Sequence, residues 1–227
     1  MNTAPETKHK GGFTLLELLI VISIMAILSV ALVFILNPAE TLKKSRDAQR
    51  ISDLSTLKTA LGLYLTSTST PRLGGGTADT TCRATNATAW TTGDAIYYSY
   101  SGAPGAITDT DLDGAIVALG TSTTTPSLTD GTGWIPVNFD TLTSGSPISN
   151  LPLDPVNTIT TLSGVTSGDL VYRYGCMASP MTFEIDAQLE STAYTSTDNK
   201  LTTDGGNNSN LYEVGTNLKI FGTGAAF

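Results

Sequence analysis

The sequence predicts an α+β fold: a long N-terminal hydrophobic α-helix whose C-terminal half packs on an antiparallel β-sheet head. Three observations predict it. Residues 13–36 form an apolar run with a single charge. Residues 48–65 repeat apolar side chains at three- and four-residue spacing. From residue 67 onward the chain turns rich in threonine, glycine and serine and holds short strand-like segments. Of its 227 residues only 14% are charged while 38 are threonine, a balance that favours strands and turns over long solvent-exposed helices.

The apolar run is FTLLELLIVISIMAILSVALVFIL, and its one charged residue is Glu17. As a helix it reaches about 36 Å, enough to cross a hydrocarbon core of about 30 Å. Ahead of it stands MNTAPETKHKGG, with Lys8 and Lys10 close to the run. A secretory signal peptide places its small residues after the apolar core. Here Gly11 and Gly12 come before it and no Ala-x-Ala site follows, so the helix is expected to stay on the mature chain. A carboxylate inside an apolar span costs about 2.5–3.5 kcal/mol on insertion scales, so Glu17 is expected to have a partner and a task. The basic residues do not orient the span. Lys8 and Lys10 precede it, while Lys43, Lys44, Arg46 and Arg50 follow it. The glycine pair, the cysteines and the head composition favour a head outside the cytoplasm.

KGGFTLLELLIVISIMAIL resembles the class III signal sequence of type IV pilins and type II secretion pseudopilins. The resemblance covers about residues 8–36 and implies a pilin-like fold. It implies that a prepilin peptidase cuts between Gly12 and Phe13 and methylates the new amine of Phe13. The chain then divides into a cleaved leader over 1–12, a transmembrane and assembly helix over 13–66, and an extracytoplasmic head over 67–227. Glu17 would pair with the Phe13 amine of a neighbouring subunit. The implied partners are other copies of the chain, minor pilins, the peptidase, the pilus or secretion assembly machinery, and the membrane. The implied location is the inner membrane before assembly, and an extracellular filament or periplasmic pseudopilus after it. The leading function is a structural subunit of a type IV pilus-like surface filament. The alternatives are a G-type pseudopilin of a periplasmic pseudopilus and a monomeric membrane-anchored binding protein.

Asn37-Pro38 ends the run. Asn37 suits a helix cap and Pro38 a first helical turn; alternatively Pro38 kinks one continuous helix. Beyond it, Ala48, Ile51, Leu54, Leu57, Leu61 and Leu65 make one apolar helical stripe, expected to face the sheet. Lys43, Lys44, Arg46, Arg50, Asp53 and Lys58 fall mostly off it. Pro71 and the glycines at 74–76 end the helix. Residues 95–101, 114–120, 169–175, 181–190, 211–214 and 218–221 read as strands, the third and fourth as a hairpin joined through CMASP. In the fourth, Phe183, Ile185, Ala187 and Leu189 alternate with Glu184, Asp186, Gln188 and Glu190, the period of a half-buried strand. The proline-rich 134–157 excludes a central strand. Its LPLDP resembles a loop of G-type pseudopilins and related bacterial pilins.

Residues 67–227 carry five Lys/Arg against fifteen Asp/Glu. An acidic head argues against nucleic acid, which needs clustered cations to replace phosphate counterions. It suits solubility or cation binding. In DTDLDGAI, Asp109, Asp111 and Asp113 with Gly114 match the first half of a calcium loop, although Gly120 stands where an EF-hand needs a bidentate Glu. G-type pseudopilins carry calcium in a C-terminal loop, and Asp198 and Asp204 in TSTDNKLTTDGGNN are the acidic residues of similar flavour. An extracytoplasmic head lets Cys82 and Cys176 pair, and a disulfide is expected. An enzyme is not expected. The single histidine, His9, lies in the leader, and no GxSxG elbow, Walker loop or dinucleotide fingerprint is present.

Overall fold

A computed structural model describes residues 11–76, 78–84, 93–100, 105–108, 116–120, 125–159, 165 and 168–222. The chain forms two compact units, residues 1–42 and 43–227. The division falls inside the second helix, most of which gives its inner face to the core of the second unit.

In the first unit, α1 spans Leu15–Leu36. Its 22 residues reach about 33 Å. Among its described side chains, apolar ones lie on all sides and are exposed, from Leu15 to Leu36. A helix apolar all round is stable only where something else covers it. Its two serines conceal their hydroxyls: Ser23 and Ser29 each donate to the carbonyl four residues back, at 2.7 Å. Asn37 adopts a left-handed conformation with φ of 38°, and α2 restarts at Pro38 and runs to Ser67. The chain thus uses Asn37 as a stop and Pro38 as a first helical residue, rather than a proline kink within one helix.

In the second unit, α2 buries Asp47, Arg50, Leu54, Leu57, Ala60, Leu61 and Tyr64. The stripe expected from the sequence needs correction at its N-terminal end. Ala48 faces solvent and Ile51 is half-buried, while Arg50 and Asp47 take the inner face. Leu54, Leu57, Leu61 and Tyr64 pack with Tyr172, Tyr174, Cys176, Phe183, Ile185 and Ala187 in the main core.

The head's main sheet is antiparallel throughout. Its strand order is β1 (Tyr97–Tyr98), β4 (Tyr172–Ala178), β5 (Met181–Ala187) and β6 (Tyr212–Gly215). A separate ribbon pairs β2 (Gly105–Thr108) with β3 (Ile116–Gly120). β4 runs on through Cys176 and Met177, so the hairpin turns on Ser179 and Pro180 alone, between the paired Ala178 and Met181. The predicted strand over 218–221 does not form. Its amides at Ile220 and Phe221 turn instead toward the Glu184 carboxylate, at 2.6 and 3.0 Å.

β5 is an interior strand, and it is buried on both faces. Phe183, Ile185 and Ala187 face α2; Glu184 and Asp186 are equally buried on the other side. The expectation of a half-buried strand fails because the C-terminal segment covers that outer face. There Ile220 and Phe221 join Tyr98, Val171 and Met177 in a second core. The Phe221 ring lies so close to Gly175 that a Cβ there would meet it at 2.7 Å.

Candidate processing segment and the buried charges of the head

Residues 11–14 are exposed and outside any helix or strand ahead of α1, and a Cβ on Gly11 or Gly12 would meet nothing within 4 Å. Phe13 is 88% exposed. The segment therefore offers open backbone to a peptidase. Thr14 caps α1. Its Oγ1 accepts from the Glu17 amide at 3.2 Å, and the Glu17 carboxylate accepts from the Thr14 amide and hydroxyl, both at 2.8 Å. This reciprocal capping box satisfies two of the orphan donors of the helix start. It also gives Glu17 a partner within its own chain. Its carboxylate is held at the very end of the helix, one residue from Phe13.

Cys82 and Cys176 form a disulfide that links the segment after α2 to β4. Beside it Arg83 pairs with β4 through its backbone, its amide donating to the Cys176 carbonyl at 2.9 Å. The Arg83 side chain donates to the carbonyl of Ile220 at 2.6 Å, which ties the C-terminal segment to the same place.

Sequence reasoning placed Arg46, Arg50 and Asp53 on the solvent side. The structure builds them into the head. Arg50, wholly buried, donates to both oxygens of Asp154, at 2.6 and 3.0 Å, and to Asp47 and Glu190 at 2.8 and 2.6 Å. Asp154 is the acid of LPLDP, so that loop is fastened to α2. Asp47 also accepts from the amides of Glu190 and Ser191 and the Ser191 hydroxyl, at 2.6–3.1 Å. Arg46 grips both oxygens of Glu190 at 2.9 and 2.7 Å. Burial opposes the Arg50 charge, yet the hydrogen bonds it donates to Asp154, Glu190 and Asp47 hold its pKa above the ordinary value. The Arg46 hydrogen bond lowers Glu190 to about 2, against the effect of burial. Nearby, the Tyr172 hydroxyl donates to Asp53 at 2.8 Å, and burial raises both groups.

Of the calcium candidates, Asp109, Asp111 and Asp113 lie outside the described residues. Asp198 is exposed and pairs with Lys200 at 2.8 Å. Asp204 accepts from the amides of Gly206 and Glu213 at 3.0 and 2.8 Å, so it closes its own turn. Sequence reasoning missed the group that is brought together, Glu184, Asp186 and Glu213, whose carboxylates meet on the outer face of the sheet. The signal was present in β5, where two acids alternate with core residues on a strand flanked by β4 and β6.

Residues 7–33 match the family model of the prokaryotic N-terminal methylation motif. No curated protein and no solved structure matches the chain. The match contains Lys8, Lys10, the glycine pair, Phe13 and Glu17. The match is the class III signal-sequence motif of type IV pilins and pseudopilins, and the helix behind it is long and apolar enough to cross a membrane.

Proposed function

We propose that this chain is a structural subunit of a type IV pilus-like surface filament. A prepilin peptidase cuts between Gly12 and Phe13, and the new amine of Phe13 is methylated. The subunit waits in the inner membrane on α1 and then passes to the filament, where the same helix is buried among its copies. The observation that carries this reading is the all-round apolar, fully exposed surface of α1, directly behind the methylation motif. Such a surface needs lipid first and other helices afterwards. Glu17, held by Thr14 at the helix start, lies beside the amine that the cut creates. It can exchange its own-chain donors for the amine of a neighbouring subunit.

Intact mass of the protein from cells tests the processing. A chain beginning at Phe13 with one added methyl group is expected, and Gly12→Trp should leave uncut precursor in the membrane. A chain retaining Met1 in the assembled material would remove the proposal and favour a monomeric anchored protein. Glu17→Ala should insert in the membrane and assemble poorly; wild-type filament yield from it would remove the role of Glu17. The pseudopilus is a second reading, favoured by LPLDP, whose Asp154 is the buried partner of Arg50. Filaments seen outside the cell support the surface filament, and their confinement to the periplasm supports the pseudopilus.

A further inference from the structure

The outer face of the sheet gathers three carboxylates. Glu184 and Asp186 belong to β5 and Glu213 to β6, where Asp186 and Glu213 are cross-strand partners. None is more than 1% exposed. One oxygen from each lies within 4.8 Å of the other two. Some oxygens are already engaged. Glu184 Oε2 accepts from Ile220 and Phe221, and Glu213 Oε2 accepts from the Asn208 amide at 2.8 Å. Both oxygens of Asp186 receive no hydrogen bond, and Glu184 Oε1 has no N–H or hydroxyl donor and meets only the Glu213 carboxylate. Arg173 stands opposite Asp186 across β4 and β5 and is equally buried, yet it does not donate to Asp186. A buried carboxylate with both oxygens unpartnered, aimed at two others, is an incomplete arrangement.

We propose that Glu184, Asp186 and Glu213 form a binding site for one divalent cation, with calcium the ion of best fit. Charge selects the valence. Three carboxylates and the Arg173 guanidinium leave a net charge of about −2 in a space closed to water, and one divalent ion brings the group to neutrality. The ligand atoms select the class of metal, because all are hard oxygens with no imidazole or thiolate among them. Spacing admits calcium. Oxygens held about 2.3–2.6 Å from calcium lie up to about 5 Å apart, and the three here lie within 4.8 Å of one another.

Protons are the competing occupants. Burial, reinforced by the neighbouring carboxylate charges, raises Glu184 and Asp186 well above the usual carboxylate range. A proton and the ion therefore compete for the same oxygens. The cover is close-fitting: the Gly206 backbone lies against the Glu213 carboxylate and leaves no room for a Cβ.

The test uses the full-length protein in detergent, stripped with chelator and titrated with calcium chloride by calorimetry in two buffers of different ionisation enthalpy. One calcium per chain with release of protons is expected, with magnesium at least tenfold weaker. At calcium one hundredfold above the dissociation constant, the melting temperature should rise by about 5–10 °C. Asp186→Asn keeps the shape of the side chain and should weaken calcium binding at least tenfold, while Asp111→Ala should leave it unchanged. Should Asp186→Asn fail to fold, Glu184→Gln carries the same expectation. No calcium binding by the wild type would overturn the proposal. So would binding that survives Asp186→Asn or Glu184→Gln, or binding that disappears in Asp111→Ala. Binding of magnesium in preference to calcium would overturn the assignment of the ion.

Discussion

Asp47, Asp154 and Glu190 at the N-terminal end of the head helix, and Glu184, Asp186 and Glu213 on the outer face of the sheet, are both groups of three carboxylates in one domain. They differ in what meets them. The first group receives two arginines, the bidentate fork of Arg50 on Asp154, and backbone amides on Asp47. The second has Arg173 nearby and leaves three oxygens without a donor. Where the chain supplies its own cations, burial makes a lock between helix, loop and strand. Where it does not, burial makes an acid that must hold a proton or a metal. Buried charge is thus no single thing energetically: the partner decides whether it fastens or waits.

The largest break in this comparison is Arg50→Met. It keeps much of the volume and strands Asp47 and Asp154 inside the head. A loss of about 3–5 kcal/mol is expected by denaturant unfolding. A loss below about 1 kcal/mol would show that the network carries little of the fold.

Second in size is the disulfide. Cys82→Ala with Cys176→Ala opens a loop of 94-residue separation and should remove about 2–5 kcal/mol. It touches neither carboxylate group, so the loss should be the same from pH 4 to 8. A pH-dependent loss would mean that the bond positions one of them.

The third effect is the pH profile itself, since the two groups titrate with opposite sign. Glu190, held at about 2 by Arg46, lies below the ordinary glutamate value of 4.5. Its contribution is complete above about pH 4.5 and is lost as pH falls through 2. Glu184 and Asp186 are raised by burial, so the folded state binds more protons than the unfolded chain and stability falls as pH rises above the unfolded values. Urea unfolding in chelator should therefore give a maximum in mild acid, and calcium should lift the neutral limb. A steady rise from pH 4 to 8 in chelator would break the contrast.

The smallest effect sharpens it. Asp186→Asn in chelator should change stability by no more than about 1 kcal/mol, toward gain, because a neutral amide of the same shape replaces a desolvated acid that has no donor. A loss of more than about 2 kcal/mol would show that Arg173 depends on that carboxylate.

Much of this was legible in the sequence, and the failures share one cause. The apolar run of α1 and the alternation in β5 report burial directly, because hydrophobic side chains have one preferred side. The inner face of α2 was readable too. Positions 47, 50, 54, 57, 61 and 64 keep a strict three-four spacing. Its first two members are the charged Asp47 and Arg50, which a stripe drawn through apolar residues does not include. Their partners, Asp154 and Glu190, lie 104 and 140 residues from Arg50. The same bias hid Glu184 and Asp186, whose cover arrives from residues 206–221. The strand over 218–221 failed for that reason: its amides answer a carboxylate beneath them rather than a neighbouring strand.

The left-handed Asn37 interrupts the ladder of helical hydrogen bonds, and each helix must then be nucleated on its own. Nucleation carries a factor of about 10⁻³, so the unwinding of α2 does not propagate into α1 across that residue. α1 starts from its own capping box, and its apolar surface is held by detergent or lipid rather than by the head. Heat or denaturant that melts the head should leave α1 folded. Circular dichroism at the end of such a melt should keep the helical signal of about 22 residues, while the fluorescence of the buried Trp134 has changed completely. The two probes measure different molecules within one chain, and a single unfolding free energy describes only the head.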